Sequence, residues 1–545
     1  MADPAFTRSS AAAPNRRPSR TSVWLAAAAL WLGGPAAAQV QVAPLAAPDL
    51  FSVRGGPSDL PADLWQGSSG TLAKLVIPEV ASHPLTPAAA ALARHVLEVG
   101  ASGPEGAGND PDLAGARAEA LLQLGDIAAA RSIADGASNL PQLTAMSRVE
   151  AQAALIAGQD DKACAVGEGL VLGREGAFWL RLRAFCQARA GQAAPAQLTL
   201  ELAEQQEHHP DYERLMGALL GGGGGAGVQP ALDDALDFAI SRRLGLDWAP
   251  ALAAAPASIA VAVARDGGQP PPLRLAAAAR AARLGIAVPE AYAALSPAPA
   301  ALPPTDAPGP MGEAALVAVA TSTNDLTLKE SAIIALLKRS RDGAEFQALA
   351  RLVAPAIGQL MAAKPVLRQP FMFAMAAAAV GDVASARAAR AEVGQGGAGP
   401  APADVAVLDA LIGVAESPPD PAALQALGPL ASGANGPLRT RTAGALALLG
   451  GLVPLGPQSR FDVADADLGP AQVPPGRRLA MEEAAEQGRI GDTALYVLGS
   501  CVEAGPRGPS AAERALMVRA LRQAHLDADA RGFAIEGLVA LQARP

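Results

Sequence analysis

The sequence predicts an all-α protein whose best-defined part is a stack of helix-turn-helix repeats. Half of the 545 residues are apolar but only 3% are aromatic, so helices must pack closely through alanine and gather stability over many neighbours. Within 114–203, glycine recurs at equal intervals, at Gly125, Gly158 and Gly191. No run of alternating apolar and polar residues favours a strand over a helix. Together these observations predict paired helices joined by short glycine turns.

Each repeat places small residues on both sides of its glycine. Alanine stands seven residues before and five residues after each one, at Ala118, Ala151, Ala184, Ala130, Ala163 and Ala196. Glycine allows a left-handed turn between two helices, and alanine lets those helices approach closely. This pattern resembles the tetratricopeptide repeat, which implies an α-solenoid of stacked helical pairs. The family's first-helix aromatic and closing proline are mostly missing, so a more degenerate solenoid and an ordinary Ala-rich bundle stay open as alternatives.

Stretches rich in Gly and Pro divide the chain into helical regions. The predicted organisation, in order, is a signal peptide over 1–38, an extended or disordered lead-in over 39–70, tetratricopeptide-like repeats over 71–220 that are best defined at 114–203, a Gly-rich connector over 221–230, a helical region over 231–295, a Pro/Ala linker over 296–312, helical repeats over 313–393, a linker over 394–402 and a C-terminal helical region over 403–545. The Gly-Asp turn at Gly381 echoes the one at Gly125. Gly221–Gly225 lacks the Lys and Ser/Thr of a phosphate loop, and Pro454–Pro475 is predicted to be irregular.

Periodicity and capping signals define further helices in order. Thr71–Val80 is the first, and Pro87–Val99 is entered through Thr86, a capping residue followed by proline at the first helical position. Later runs with helical character are Leu232–Leu244, Leu273–Leu284, Leu326–Arg339, Glu345–Leu352, Phe371–Ala379, Asp404–Val414, Pro421–Leu427, Thr440–Leu449, Leu479–Gln487, Thr493–Val502, Ser510–His525 and Asp529–Leu541. Ser510 and Glu513 have the spacing of a capping box.

The N-terminus has the layout of a secretory signal peptide. Arg16, Arg17 and Arg20 precede an apolar core at Val23–Leu32, and small residues suited to cleavage stand before Gln39. The apolar core is about half of the ~20 residues needed to span a bilayer, so a membrane anchor is the weaker alternative. The sequence therefore predicts an exported bacterial protein, periplasmic or secreted, without a transmembrane segment in the mature chain.

An exported protein is in an oxidising environment, so its three cysteines can form disulfides. Cys164 lies at the start of the second helix of the middle repeat, and Cys186 lies in the first helix of the next repeat. Those helices are neighbours in a stacked solenoid, so a disulfide between Cys164 and Cys186 is predicted, with two buried free thiols as the alternative. Cys501 is predicted to be a buried helical thiol, with a disulfide to a partner as the weaker alternative.

No motif indicates catalysis, a cofactor or a metal. The densest group of potential ligands is Glu204, Glu207, His208, His209 and Asp211, which is interpreted as a solvated helix end, with a metal site as the alternative. The acidic pairs Asp233-Asp234 and Glu482-Glu483 are interpreted as surface charges. We therefore predict no catalytic residue, no cofactor and no metal.

The repeat register suggests where a partner would bind. The resemblance implies that the first helix of each hairpin lines the concave face, where Arg148 and Arg181 occupy equivalent positions near Phe178. Arginine pairs well with carboxylates, so an acidic or C-terminal peptide is a candidate ligand. The alternative is that Phe178 belongs to the core and the arginines are solvated.

A protein partner fits the overall charge better than nucleic acid does. A net charge of −9 and a pI near 5.3 argue against binding phosphates. The predicted function is a non-catalytic scaffold or adaptor that holds an unknown protein partner in the cell envelope, and the chain is similar to Ala-rich exported bacterial proteins, for which no activity is implied. The alternative is a cell-envelope enzyme of the wall-glycan hydrolase type, which would need a carboxyl with a raised pKa in a cleft.

Overall fold

The chain forms helices wherever its apolar residues recur at helical spacing. The structure is a computed structural model and describes residues 49–542 except 138, 223, 292–308, 364–365, 396–398, 417 and 471. The predicted signal peptide and most of the linker predicted at 296–312 lie outside the described residues. Among those that are described there are 25 α-helices and no strand, with one isolated bridge between Ser69 and Glu105. The all-α prediction is confirmed.

The helices are numbered in chain order. They are α1 Gly70–Ser82, α2 Pro87–Leu97, α3 Pro111–Gln123, α4 Ile127–Gly136, α5 Thr144–Ile156, α6 Asp160–Gly169, α7 Ala177–Arg189, α8 Ala193–Gln206, α9 Pro210–Leu220, α10 Ala235–Arg243, α11 Ala257–Arg265, α12 Pro271–Arg283, α13 Gly309–Ser322, α14 Leu326–Leu337, α15 Gly343–Ala363, α16 Pro370–Ala379, α17 Val383–Glu392, α18 Pro402–Ala415, α19 Ala422–Gly433, α20 Gly436–Leu452, α21 Pro457–Ala464, α22 Pro475–Glu486, α23 Ile490–Ala504, α24 Ala511–Gln523 and α25 Asp527–Leu541. Short 3-10 helices lie at Leu50–Ser52, Leu140–Gln142, Pro289–Ala291 and Gly505–Arg507.

The helices α3 to α8 form three hairpins in register, and we call them the repeat block. The helix starts recur at the same interval as the repeat glycines. The first helices of the hairpins begin at Pro111, Thr144 and Ala177, and the second helices begin at Ile127, Asp160 and Ala193. The repeat glycines have φ values of 85°, 74° and 74°, a left-handed conformation that favours glycine. The alanines that flank each glycine in the repeat pattern are all fully buried. The predicted helical hairpins are present, and the alanines of the repeat pattern are buried as close helix packing requires.

A single hydrogen-bond pattern closes each of these turns. After α3, the backbone N–H of Gly125 donates to the carbonyl of Leu122, and that of Asp126 donates to the carbonyl of Leu121. This pair of bonds is the Schellman motif, which satisfies carbonyls that a helix end would otherwise leave unpaired. The same two bonds also close the later hairpins α16–α17 at Gly381, α22–α23 at Gly488 and α24–α25 at His525. The turn is thus used well beyond the repeat block.

The hairpins of the repeat block pack side by side. Helix α3 packs against α5, α5 against α6, and α6 against α7. Cys164 on α6 and Cys186 on α7 lie at disulfide distance with their Cα atoms 5.8 Å apart, so the pairing is the predicted one. Cys501 is buried in α23, as predicted, and is bonded to neither of the other two cysteines.

The two ends of the described chain pack against each other, and we call α1, α2 and α22 to α25 the closing region. Helix α1 contacts both α3 and α23, while α2 contacts α23 and α25. Helix α25 also packs on α15 and α18. The described residues consequently form one compact unit. In a simple solenoid each repeat would contact only its neighbours, so these contacts go beyond nearest-neighbour stacking.

The lead-in predicted at 39–70 is held against the closing region and the repeat block where the structure describes it. Phe51 and Trp65 are fully buried and meet edge to face. The guanidinium of Arg117 on α3 is fully buried and donates to the carbonyls of Leu97, Phe51, Val53 and Val99. Burial lowers the pKa of Arg117 to about 9.

The structure has helices that the sequence pattern does not predict. Helix α11 lies between Pro256 and Asp266, and α21 lies inside the stretch Pro454–Pro475, where a proline at its first position favours the start of a helix. Both are short, which is why helical periodicity is weak there. The run predicted at Glu345–Leu352 continues through Pro355 as α15, because its later apolar residues remain buried.

Among the described residues, only α15 is long and apolar enough to cross a membrane. Phe346, Leu349 and Val353 on this helix are buried, and 56% of its most apolar window is inside the protein. A core helix has these properties. The structure therefore contains no strong evidence for a transmembrane segment within its described part.

Candidate functional site

The two arginines predicted to bind a partner have different surroundings. The side chain of Arg148 on α5 is 44% exposed, and its Nε lies 3.6 Å from the Oε2 of Glu119. The side chain of Arg181 on α7 is only 10% exposed, with Nη1 3.3 Å from the Oδ2 of Asp234 and Nη2 3.8 Å from the Oε2 of Glu207. Of the two arginines, Arg148 has the more exposed side chain and is therefore the one that a partner can reach directly.

Aromatic residues complete the surroundings of Arg181. Its guanidinium lies 5.8 Å from the centre of the Tyr212 ring, and the Tyr212 hydroxyl donates to the Arg181 carbonyl over 2.6 Å. Phe178 is partly buried against the core and meets Trp179 edge to face at 5.1 Å. Tyr212 thus holds Arg181 through a cation–π contact with its guanidinium and a hydrogen bond to its backbone carbonyl.

Beside Arg181, the starts of α9 and α10 bring together His209, Asp234 and Asp237, which we call the HDD cluster. The three offer one ligand atom each within 4.8 Å of one another. The Nε2 of His209 lies 3.6 Å from the Oδ2 of Asp234, and its Nδ1 lies 3.9 Å from the Oδ2 of Asp237. These residues come from two different connections, so only the fold brings them together.

Capping explains why the first two members of the HDD cluster stand at helix starts. The Nδ1 of His209 accepts a bond from the backbone N–H of Tyr212 over 3.3 Å at the start of α9. The Oδ1 of Asp234 accepts bonds of 2.8 and 2.9 Å from the backbone N–H groups of Leu236 and Asp237 at the start of α10. Such caps satisfy helix N–H groups, and here they leave the Oδ2 of Asp234 directed at His209 and Arg181.

Asp237 is the unusual member of the HDD cluster. Its side chain is fully buried, and neither carboxylate oxygen has a hydrogen-bond partner within the described part of the chain. Its pKa is raised to about 8, first by burial and then by the negative charges of Asp234 and Asp233, whereas Arg181 opposes the shift. An unpaired buried carboxylate is costly, since it loses its hydration and gains nothing in exchange.

A second carboxyl with a raised pKa lies near the end of α2. Burial is the main cause that raises the pKa of Glu98 to about 8, and a hydrogen bond with Asp126 acts in the same direction. Two carboxyls in contact cannot both ionise easily.

The structure separates the potential ligands that the sequence places at 204–211. His208 is exposed and pairs with Glu213, Asp211 pairs with Arg214, and Glu207 faces Arg181. Of that group only His209 joins a site with metal-ligand geometry among the described residues. Its partners come from the segment after the glycine run, where Asp234 was interpreted as a surface charge but is one-third exposed. The spacing of Asp234 and Asp237 fits the first turn of a helix, yet no sequence pattern reveals that the second is buried.

A groove of about 270 Å³ lies between α6 and α7, beside the disulfide, and we call it the α6–α7 groove. Its lining includes Trp179, Leu182, Arg174 and Arg183, together with Glu168. Neither arginine has an acidic partner among the residues that the structure describes. The sequence gives no sign of this groove, because the spacing of Arg174 and Arg183 along the chain does not follow the repeat.

Two more cavities lie on the surface of the described residues. One of about 340 Å³ is lined by His83, Leu124, Pro256 and Arg280 among others, and the Arg280 guanidinium is anchored there by donating to the carbonyl of Ala255. The other, of about 400 Å³, lies between α20, α21 and α24. Neither of them, nor the α6–α7 groove, is lined by either carboxyl with a raised pKa.

The chain matches no known protein family, no curated protein and no solved structure. Its function must be argued from its own geometry.

Proposed function

We propose that this protein is a non-catalytic helical-repeat scaffold or adaptor, exported to the periplasm or secreted, that holds a protein partner. The observation that carries the proposal is the α6–α7 groove, which lies between two in-register hairpins and contains two arginines without acidic partners in the described part of the chain. The repeat block is proposed to be a degenerate tetratricopeptide-like solenoid segment. Its period, its turn and its neighbour packing support this.

The groove has the features of a peptide-binding surface. Trp179 and Leu182 provide an apolar wall, and Arg174 and Arg183 lie along it. Two apolar residues in the loop between α6 and α7, the loop that also contains Arg174, are 61% and 59% exposed, namely Val171 and Leu172. Exposed apolar residues that lie together are typical of interaction sites.

The positive charge of the α6–α7 groove favours a partner segment that carries a negative charge. Its lining has the two arginines and two glutamine side chains, Gln187 and Gln192, as donors, against one carboxylate, Glu168. Guanidinium groups bind carboxylates through paired, charge-assisted hydrogen bonds. We therefore expect an extended segment of the partner that carries an acidic residue or a C-terminal carboxylate next to an apolar side chain. This is the partner chemistry predicted from the sequence, at a neighbouring set of arginines.

Export is part of the proposal and rests on two observations. The sequence of residues 1–38 has a signal-peptide layout. Cys164 and Cys186 are placed at disulfide distance, and disulfides persist in oxidising compartments.

The test is capture of the partner by the tagged protein from its native envelope, with cross-linking and mass spectrometry. Arg174→Glu combined with Arg183→Glu should abolish capture of a partner that the unmodified protein binds reproducibly. The matched control combines Arg243→Glu with Arg522→Glu, which reverses two exposed arginines on α10 and α24 that have no ion pair among the described residues. Equal capture by both double variants would place the partner elsewhere, and Arg148→Glu then tests the position predicted from the sequence.

The alternative function, a cell-envelope enzyme, requires a different kind of site. A wall-glycan hydrolase needs a carboxyl with a raised pKa in a cleft that a glycan can enter. Asp237 and Glu98 have raised pKa values, but neither lines the three cavities described above, and Asp237 is closed to solvent. If a folded protein captures no partner, release of soluble fragments from purified cell wall is the assay that would favour this alternative.

A further inference from the structure

We propose that the HDD cluster, His209, Asp234 and Asp237, binds a divalent transition-metal ion such as Zn²⁺. The cluster combines one imidazole and two carboxylates whose ligand atoms lie within 4.8 Å of one another. Imidazole nitrogen and carboxylate oxygen are the ligands that zinc and similar ions take in proteins. This site is independent of the α6–α7 groove and of the partner proposed for it.

The distances are close to those of a coordinated ion. Donor atoms about 2.0–2.2 Å from zinc in a tetrahedral site are separated by roughly 3.4 Å. The distance from His209 Nε2 to Asp234 Oδ2 is 3.6 Å, and from His209 Nδ1 to Asp237 Oδ2 it is 3.9 Å. These two distances start from different ring nitrogens, and one ion takes only one of them. The site therefore needs a side-chain rotation that brings one ring nitrogen and both carboxylates, whose ligand atoms lie within 4.8 Å of one another, onto a single ion. Three protein ligands leave a fourth position for water or a further ligand.

Asp237 is the observation that points to a ligand. Its carboxylate is fully buried, it faces His209, and neither oxygen has a hydrogen-bond partner in the described part of the chain. Buried charges in proteins are paired or bound to a metal. Arg181 does not pair it, since the guanidinium contacts Asp234 and Glu207 instead. A divalent cation would supply the missing partner.

The charge around the site supports a cation. Asp233 and Asp211 add negative charge near Asp237, and Arg181 is the cation that opposes them. Asp234 is already oriented by its capping bonds to the backbone of α10. Outer contacts that hold a ligand in place in this way are a regular feature of metal sites. The His209 ring would exchange its weak bond from the Tyr212 N–H for the metal when Nδ1 coordinates it.

The experiment is titration of the metal-free full chain with ZnCl₂ by isothermal calorimetry, and with CoCl₂ by visible absorption. We expect one equivalent to bind, an absorption spectrum of tetrahedral cobalt, and a melting temperature that rises with zinc. Asp237→Asn and His209→Asn should each weaken zinc binding by about tenfold or more. Both variants should fold, because the first replaces an unpaired buried carboxyl by an amide of the same size and the second retains a capping side chain.

The matched control is His208→Asn, which removes an exposed imidazole next to the site. It should bind zinc as tightly as the unmodified protein. The proposal is overturned if the unmodified chain binds no zinc or cobalt. It is also overturned if His208→Asn weakens binding as much as His209→Asn, since the ion would then sit on surface histidines.

Discussion

The repeat block and the closing region use the same hairpin turn but are held together by different interactions. In the repeat block, alanines at equivalent positions are buried and a disulfide joins neighbouring hairpins, while most of the ion pairs are partly exposed. In the closing region, buried carboxylates near one end of the described chain accept hydrogen bonds from backbone N–H groups near the other end. Apolar packing can be repeated along a chain, whereas each of these buried hydrogen bonds and ion pairs occurs at one place only.

The carboxylate of Glu536 joins three helices of the closing region. The Oε1 of Glu536 on α25 accepts a bond from Arg514 on α24, and its Oε2 accepts one of 2.8 Å from the backbone N–H of Ala88 on α2. The side chains of Arg514 and Glu536 are 5% and 6% exposed. Nearby, Ser69 donates its backbone N–H to the Oδ1 of Asp492 over 2.8 Å. The bonds from Ala88 and Ser69 therefore join opposite ends of the described chain.

Removing Glu536 should have the largest effect. Glu536→Ala leaves the Arg514 guanidinium buried without its anion, which costs about 3–5 kcal/mol, and frees the Ala88 N–H. We expect a lower midpoint of urea unfolding and faster amide hydrogen exchange in α2 and α25. The control Glu503→Ala removes a partly exposed pair with Arg477 and should cost at most about 1 kcal/mol. Equal effects of the two variants would contradict the comparison between buried and exposed pairs.

The disulfide is the corresponding test for the repeat block. Cys164→Ser combined with Cys186→Ser opens a link across 22 residues, and the lost constraint on the unfolded chain is worth about 3 kcal/mol. The loss should appear as faster hydrogen exchange in α5 to α8 and should leave α2 and α25 protected. Cys501→Ala serves as the control for removing a buried thiol elsewhere. Unchanged exchange in α5 to α8 would show that alanine packing alone holds the block.

A histidine makes the closing region sensitive to pH. The Nδ1 of His95 on α2 lies 2.8 Å from the Oδ2 of Asp529, and its Nε2 lies 2.8 Å from the Oδ1 of Asp59. The hydrogen bond to Asp529 is the main cause that raises the His95 pKa, to about 9. Because the pKa is raised on folding, the stabilisation is fully present below pH 6.5 and is lost as pH rises through 9.

We expect the free energy of unfolding to fall between pH 6.5 and 9, with about 1–3 kcal/mol of the loss due to His95. Glu98 also has a raised pKa, so it contributes a loss in the same direction between pH 4.5 and 8. The difference between the unmodified protein and His95→Gln isolates the histidine. The control His83→Gln changes a half-exposed histidine. A stability difference between the unmodified protein and His95→Gln that does not depend on pH would refute the assignment.

The sequence predicts what is local and repeated in this fold. The equal spacing of the repeat glycines, the small residues beside each glycine and the pairing of Cys164 with Cys186 all follow from contacts between neighbouring hairpins. The capping box at Ser510 and Glu513 is also present in the structure. Such features depend on a few residues close in sequence, so their pattern is visible without the fold.

Contacts between residues that are distant in the chain have no comparable pattern in the sequence. Glu536 and His95 each bond to a residue near the other end of the described chain. In the candidate sites, nothing in the sequence indicates that Asp237 is buried or that His209 faces it. Arg181 was expected on a binding face, but the segment after the glycine run folds over it and supplies Asp234. Burial and pairing of charges are set by tertiary structure, which composition and spacing do not report.

The hairpin turn itself gives the smallest and most direct comparison. The other hairpins described above with the same Schellman bonds have glycine in the left-handed position, but α24–α25 has His525 there, at φ 61°. A residue with a Cβ is strained in that conformation by about 1 kcal/mol, and glycine is not. His525→Gly should therefore stabilise the protein by up to about 1 kcal/mol. Gly191→Ala, at φ 74° and with no atom near the added Cβ, should destabilise it by a similar amount. The melting temperature should rise in His525→Gly and fall in Gly191→Ala. If both melting temperatures shift in the same direction, backbone strain at the left-handed position does not distinguish the turns.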